Sequence, residues 1–561
     1  VNENLNLLNL PISDCFRDAA RELQCFEEAV KGKVKKRSSL DFFIGLFAKY
    51  IFSRLIDSDR LDAADFEEHT RYDRRETNWS VLIQHFENNM LKFDSSSHLD
   101  QMRQRISAGC RDASDRNTGI YKLAVPTGGG KTLASLNFAL HHAQKYKKKR
   151  IIYVIPYLSI TSQTVQTFRS VLDISENSDL LLEHYSSVIS DYTENLSLSS
   201  SEEQIEREDE TLRERKRATE RWDNPIIVTT MVQFLETIMS SHGTKLRKFH
   251  NMADSVIVFD EIQSLPTNVI NPFNEIISFL SLILNSTILL CSATQPLLEK
   301  TSRENLLLPS NPKLITLNKD ELKSLKRTQV IASLDEKNSK EMAEIAFQKA
   351  IENGNCLVIV NLKSEAREIF QELQTINDKK GRIFQLVHLS TSMCGKHRAD
   401  ELALVKELLE TNDSQPLICV STQLIEAGVD LSFACVIRAM AGLDSILQAA
   451  GRCNRNGESI QPKKVYVFPM KDEKGLDNLK DIRVGKEITD QLVREYPNTD
   501  LLSDSLLVEF YNRFFERLQG EQHAMDYPMK SAKDGNAYDL LSTNRLAKEN
   551  YEKNRHEKKY A

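Results

Sequence analysis

The apolar positions of this chain change their period as the sequence runs. Between Leu40 and Leu61 they recur at helical spacing, with Phe43, Phe47, Tyr50, Ile51, Leu55 and Ile56 in one run ending at Asp57-Ser58-Asp59. That pattern predicts an all-helical region over residues 1–95. The polar stretch Asp94 to Asp100 reads as a linker, and a short helix is expected from Leu99 to Cys110. From about residue 119 to 315, short buried-type runs alternate with helical ones: Ile120 to Val125, Ile151 to Ile155, Ile226 to Thr229, Ser255 to Phe259 and Thr287 to Cys291. Strand–helix alternation implies a mostly parallel sheet covered on both faces. A second alternating block begins near Lys340, with runs at Cys356 to Val360, Ile383 to Leu389, Leu417 to Ser421, Ala434 to Ile437 and Lys464 to Phe468. Beyond about 470 the chain reads as helical and polar, with a basic tail from Asn550 to Tyr560. The expected units are therefore 1–95, 96–325, 326–470 and 471–561, in an α/β chain with two tandem sheet domains.

One uncharged span, Ile276 to Leu298, tests that division against a membrane protein. It is broken by Ser278, Ser281, Asn285, Ser286, Thr287 and Ser292. It reads as a buried helix ending near Leu284, a turn at Asn285-Ser286 and a buried strand from Thr287 to Ser292, not a membrane span. The first ten residues are asparagine-rich and lack the basic start and apolar core of a signal peptide. Apolar content of 40% and charged content of 27% are ordinary for a soluble protein. Nine cysteines with no C-x-x-C pair fit a reducing cytoplasm better than a disulfide scaffold or zinc site. A net charge of −6 excludes a polycation, so any nucleic-acid contact must come from a local groove. The charge-rich segment Ser190 to Arg221 reads as a solvated helix with i,i+4 pairs rather than a DNA patch.

Chemistry enters at Val125-Pro126-Thr127-Gly128-Gly129-Gly130-Lys131-Thr132, which lies between a strand and a helix. Glycines let backbone N–H groups approach phosphate oxygens, and the following helix presents its positive end to them. Lys131 is expected on the β/γ-phosphates and the Thr132 hydroxyl on Mg²⁺. The strict phosphate-loop pattern has Gly where Val125 stands, a position that helicase-type loops relax. Asp260-Glu261-Ile262-Gln263 follows a buried strand downstream. Asp260 would hold Mg²⁺ and Glu261 would activate the attacking water. In the second block, Gln448-x-x-Gly451-Arg452-x-x-Arg455 offers arginine fingers for charge on the transferred phosphoryl group. A site split between two blocks is complete only when they close, which couples hydrolysis to domain motion. Ser292-Ala293-Thr294 fits a relay from the acidic pair, with Gln263, to a nucleic-acid face. Pro156, Tyr157, Thr229, Thr230 and Thr422 end strands where they could meet backbone phosphates, although helix capping accounts for such hydroxyls equally well. The adjacent His141 and His142 point in different directions on a helix and read as helix-surface residues, not a metal site.

Taken together, PTGGGKT, IPYLS, TTMVQFLET, DEIQSLP, CSATQP, STQLIEAGVDLSF and QAAGRCNR resemble the superfamily 2 helicases. The surrounding phrases RIIYVIPYLSITSQ, WDNPIIVTTMVQF and LRKFHNMADSVIVFDEIQSLP are more closely similar to the CRISPR-associated helicase–nuclease of type I systems, over residues 40 to 545. The resemblance implies two RecA-like domains and ATP- and Mg²⁺-dependent 3′→5′ translocation on single-stranded DNA. It also implies recruitment by the RNA-guided complex Cascade to a displaced strand, in a prokaryotic cytoplasm. Lys131, Thr132, Asp260, Glu261, Arg452 and Arg455 carry the family roles, with Asp430 and Gly428 at the nucleotide. The family's N-terminal metal-dependent HD nuclease is expected to be largely missing, because no His-Asp dipeptide occurs in the chain. Leu40 to Asp65 resembles only its last helix, with Asp59 (or Asp57) as a lone remaining ligand. One carboxylate cannot hold a two-metal site. No transition metal and no nuclease activity are therefore expected, and a separate nuclease subunit becomes a candidate partner. The rival readings are the motor of a restriction system, a general DNA or RNA helicase, and an ATP-gated DNA clamp that does not hydrolyse.

Overall fold

The computed structural model describes residues 12–68, 77–92, 97–156, 158–176, 178–185, 217–240, 242–293, 296–300, 306–410, 416–426, 430–459 and 461–520. Its centre is two parallel six-stranded sheets. The first contains β1 (Ile120–Ala124), β2 (Arg150–Ile155), β3 (Leu181–His184), β4 (Ile226–Thr230), β5 (Ser255–Phe259) and β6 (Thr287–Ser292), in the order β1-β6-β5-β2-β4-β3. The second contains β7 (Thr328–Ala332), β8 (Asn355–Ile359), β9 (Gln385–Leu389), β10 (Leu417–Ser421), β11 (Val436–Ala439) and β12 (Lys463–Phe468), in the order β7-β12-β11-β8-β10-β9. Counted within each sheet, both run first, sixth, fifth, second, fourth, third. The two domains are tandem copies of one RecA-like topology.

Residues of β2, β4, β5 and β6 are buried on both faces, which is why they read as continuous apolar runs rather than alternating ones. β3 and β7 escaped the sequence pattern. Both are edge strands, one four residues long and the other only partly buried, so neither carries a long apolar run.

The N-terminal helices are α1 (Ile12–Val30), α2 (Arg37–Glu68) and α3 (Trp79–Met90). The sequence grouped them as one unit, but they cover opposite faces of the first sheet. α3 packs through Trp79, Leu82, Ile83 and Phe86 into the same core as α4 (His98–Ala113), α5 (Lys131–Lys145) and α6 (Leu158–Leu172). α1 and α2 join the opposite core through Phe26, Val30, Phe42, Phe43 and Leu46. Phe43 stands edge-on to Phe279 of α8 (Ile270–Leu282), with ring centroids 5.5 Å apart, and α7 (Met231–Met239) lies in the same layer.

Asp57 explains how α2 is oriented. It is buried, and Arg247 Nε and Arg221 Nε donate to it at 2.7 and 3.0 Å, with His250 Nε2 at 3.4 Å. Arg221 therefore leaves its charge-rich segment to pair inside the domain. The rest of that segment, 190–216, lies outside the described residues. Asp57 is an anchor rather than a free ligand, and Asp59, two residues on and turned to another side of the helix, is exposed. Among the described residues no group of three or more His, Cys, Asp and Glu could hold a metal ion. The outer face of α2 leaves Ile44, Ile51, Phe52 and Leu55 exposed.

The second domain adds α10 (Ser339–Asn353), α11 (Lys363–Lys379) and α12 (Gly395–Glu410), after the short linker helix α9 (Lys319–Ser324). α13 (Leu443–Ala450) leads into the arginine turn, and α14 (Lys480–Glu495) and α15 (Asp504–Gly520) form the C-terminal pair. These two pack with α13 and extend the apolar core of the first domain through Val484, Ile488, Phe510 and Phe515. Residues 521–561, with the predicted basic tail, lie outside the described residues. No described helix is long and apolar enough to cross a membrane.

Candidate active site between the two sheets

The phosphate loop joins β1 to α5. Gly130 caps α5 with φ +80°, and Gly128 has φ +75°, left-handed conformations that a side chain would strain. Lys131, in the first turn, is buried, and its Nζ lies 3.0 Å from Glu261 Oε1. Glu261 follows β5 in a left-handed conformation, φ +46°, which holds the carboxylate toward the lysine.

Asp260, one residue earlier, is hydrogen-bonded on both oxygens. Tyr153 Oη donates to Oδ2 at 3.2 Å, and the Glu261 N–H donates to Oδ1 at 3.0 Å. Burial, then the neighbouring Glu261 charge, raises the Asp260 pKa above the ordinary carboxylate value. Burial also works against ionised Glu261, but Lys131 and the Gln263 amide outweigh it, so its pKa falls. The pair is thus split: one carboxylate held ionised, the other short of positive charge.

The buried Asp260 and half-buried Glu261 carboxylates, with Lys131 and Thr132 lining the same cavity, form a hard-oxygen donor set. This fits Mg²⁺, with Asp260 and Thr132 as the residues that would hold it.

A relay leads away from Glu261. Gln263 Nε2 donates to Glu261 Oε2, and Ser292 Oγ at the end of β6 donates to Gln263 Oε1 at 2.6 Å. Thr294, the third member expected there, lies outside the described residues, as do Tyr157 and Gly428.

The second domain closes the site. A cavity of about 440 Å³ is lined by Thr127, Gly128, Gly130, Lys131, Thr132, Asp260 and Glu261 from one side. Asp430, Gln448, Arg452 and Arg455 line it from the other. Arg452 Nε and Nη2 donate to the Ile425 and Glu426 carbonyls, both at 2.8 Å, while Nη1 is buried with no partner. Burial, then Arg455, disfavours its charge, and Glu261 across the seam favours it. Arg455 Nε pairs with Asp430 Oδ1 at 2.6 Å, so Asp430 holds a finger as well as facing the cavity. Gly451 sits against the phosphate loop: a Cβ there would lie 2.7 Å from Thr127 Oγ1. Gly129 packs instead against Val125, whose Cγ1 occupies the place of a Cβ.

The strand-end hydroxyls fare differently. Thr229 is a correction: it is fully buried, and its hydroxyl donates to the His184 carbonyl at 2.8 Å, so it is not available to a phosphate. Thr230 caps α7, accepting from Gln233 N at 3.3 Å. Thr422 is buried at the start of the turn Gln423–Ile425, and Pro156 is half-buried at the end of β2. His142 is also corrected, from helix surface to core: it is buried, with Nδ1 at 2.8 Å from the Ser114 carbonyl and Nε2 at 2.7 Å from Thr287 Oγ1.

Sequence reasoning missed Met90, Arg103, Gln104 and Gln163, which line the cavity from α3, α4 and α6, and Glu426, which lines it from the second domain. Arg103 Nε donates to the Gly128 carbonyl at 2.9 Å. Glu426 is held by a buried ion pair with Arg438 Nε at 2.6 Å.

A phosphate loop and acidic pair on one RecA-like sheet, facing paired arginines on the other, form a candidate nucleoside-triphosphate site shared by two domains. The comparisons make this more specific. The DEAD/DEAH box helicase family matches residues 114–301, and the C-terminal family of the CRISPR-associated nuclease/helicase Cas3 matches residues 352–458. The CRISPR-associated nuclease/helicase Cas3 of Haloferax volcanii is 25% identical over 60% of this chain and 45% of its own length. The crystal structure of T. fusca Cas3-ATP is similar with a TM-score of 0.59 at 17% identity, over 79% of this chain and 56% of that one. A chain of a CRISPR RNA-guided surveillance complex, pre-nicking, gives 0.52 at 16% identity, over 76% and 53%. The chain is similar to the Cas3 helicases of superfamily 2 over parts of both sheet domains. It spans about half the length of the curated relatives it matches.

Proposed function

We propose that this chain is an ATP- and Mg²⁺-dependent translocase that moves 3′→5′ along single-stranded DNA, in the prokaryotic cytoplasm. Its substrate is the strand displaced when a guide-RNA surveillance complex of the Cascade type opens target DNA. The observation that carries the reading is the single cavity lined by the phosphate loop, the acidic pair and both arginines.

The contacts describe a resting site. Glu261 is tied to Lys131 and Gln263, so it is not free to take a proton. A triphosphate in the loop competes for Lys131 and releases one side of that carboxylate. Glu261 then orients and deprotonates the attacking water. Mg²⁺, when bound, neutralises phosphate charge. Arg452 has one unpaired N–H buried at the seam, and Arg455, already at the cavity wall, engages phosphate on exchanging Asp430 for it. Met90 and Gln104 add an apolar surface and an amide of the kind that recognises an adenine edge. Release of Gln263 by Glu261 is felt at Ser292, at the end of β6, which links hydrolysis to the strand ends where open α/β sheets bind ligands.

In this reading α1 and α2 correspond to the last part of the family's nuclease domain, and the metal-dependent nuclease step is carried elsewhere, in a separate subunit or segment. α14 and α15 belong to the C-terminal accessory region.

The test is steady-state ATP hydrolysis with single-stranded DNA, with single-stranded RNA and with neither. Stimulation by DNA alone is expected. Lys131→Ala should abolish turnover, and Glu261→Gln should lower it by about 10² to 10⁴-fold while nucleotide still binds. A parent that binds ATP and DNA but does not hydrolyse, like Glu261→Gln, would instead make the chain a clamp.

A further inference from the structure

Two residues carry the chain from the core that holds α3 to α6 into the second sheet. Leu325 is the last member of that core, and Thr328 begins β7. Between them, Lys326 Nζ pairs with Asp500 Oδ2 at 2.6 Å, in the loop between α14 and α15. Arg327 turns back to the first domain, where its Nη2 donates to the Thr127 carbonyl of the phosphate loop. Its guanidinium fills the space over Gly128, where a Cβ would lie 2.6 Å from Nη1 and Nη2. The main chain of Arg327 belongs to the other domain: its carbonyl accepts from Lys463 N at 3.0 Å and from Asn454 Nδ2 at 3.2 Å. Asn454 lies between the two finger arginines. One residue therefore holds the phosphate loop with its side chain and the arginine turn with its backbone.

We infer that Arg327 is a positioning residue that couples the conformation of the phosphate loop to the hinge between the domains. The physical argument concerns peptide orientation. A loop that presents N–H groups to phosphate must turn carbonyls away from it. Arg103 holds the Gly128 carbonyl from the first domain, and Arg327 holds the Thr127 carbonyl from the hinge. The loop is thus held ready for an anion, and any rearrangement on nucleotide entry is felt at the residue about which the domains turn. Two further donors of Arg327, Nε and Nη1, are buried with no partner, so a small rotation exchanges acceptors without breaking the latch outright. Burial, then the charges of Arg455 and Arg103, pushes its pKa down to about 10, a local surplus of positive charge that a bound polyphosphate would relieve.

This inference rests on the reading that the cavity takes ATP. The experiment uses the full chain, Arg327→Met and Arg327→Lys, with adenylyl imidodiphosphate and Mg²⁺ as the probe. Hydrogen exchange is followed in β7 and the phosphate loop, beside DNA-stimulated ATP hydrolysis. In the parent, the nucleotide should slow exchange in both segments. In Arg327→Met the loop should still be protected and β7 should not. Stimulated kcat should then fall about tenfold or more, the value of one hydrogen bond to a charged group, with KM changed far less. Arg327→Lys should recover part of both effects, which a purely structural role would not predict if melting temperatures match. Nucleotide protection of β7 and a parental kcat in Arg327→Met would overturn the inference alone. A parent that does not bind the nucleotide would overturn the reading of the cavity, and the inference with it.

Discussion

A glycine ahead of an arginine is easy to pass over, yet Gly451 sets how closely the domains meet. With its missing Cβ standing 2.7 Å from Thr127 Oγ1, any side chain must push the arginine turn off the phosphate loop. Gly451→Val is expected to lower kcat by roughly 10²-fold, the cost of an ångström-scale misplacement of reacting groups, while ATP still binds. Single-turnover kinetics beside equilibrium nucleotide binding would separate the two. Residues of this kind divide into those the chain announces and those it hides. Lys131, Asp260, Glu261, Arg452 and Arg455 sit in short contiguous patterns whose spacing is itself the chemistry. Arg103 and Gln104 on α4, and Arg327 at the hinge, reach the same cavity or loop from outside any contiguous motif. Thr229 was misread because a strand-end hydroxyl can face the ligand crevice or the neighbouring strand, and only the register of β3 against β4 shows that it meets His184.

At the scale of elements, α2 shows what a charge anchor does for a helix with apolar residues on both sides. Its inner face meets Phe279 and the chain around Arg247, and Asp57 fixes its rotation. Burial alone would raise the Asp57 pKa; His250, Arg221 and Arg247 outweigh it and hold it well below the ordinary value. The folded state therefore binds that proton more weakly than the unfolded chain. The resulting stabilisation is complete above an unfolded pKa of about 3.9 and is lost as pH falls toward the folded value. Urea unfolding should show parent and Asp57→Asn well separated at pH 7 and converging below about pH 4. The helices and buried strands were legible because burial on both faces leaves a continuous apolar run, and a helix leaves its period. The edge strands β3 and β7 were not, since an edge needs neither a long run nor full burial. The grouping of α3 with α1 and α2 failed for a related reason: periodicity shows that a helix has an apolar face, not which side of a sheet receives it.

For the whole molecule, the repeated strand order has a mechanical meaning. Two copies of one fold stand side by side, one with the phosphate loop and acidic pair, the other with the arginines that finish its site. This is the arrangement of neighbouring subunits in a ring that catalyse across their interface, here fused into a single chain. Fusion changes the mass action. A finger delivered by a separate subunit must be present near its dissociation constant, whereas a short tether holds its partner at an effective concentration of about a millimolar. ATP turnover per molecule should therefore stay constant as the protein is diluted to nanomolar levels, measured at saturating DNA. The tandem chain carries its own second subunit, and a site shared between its two halves has no assembly step to wait for.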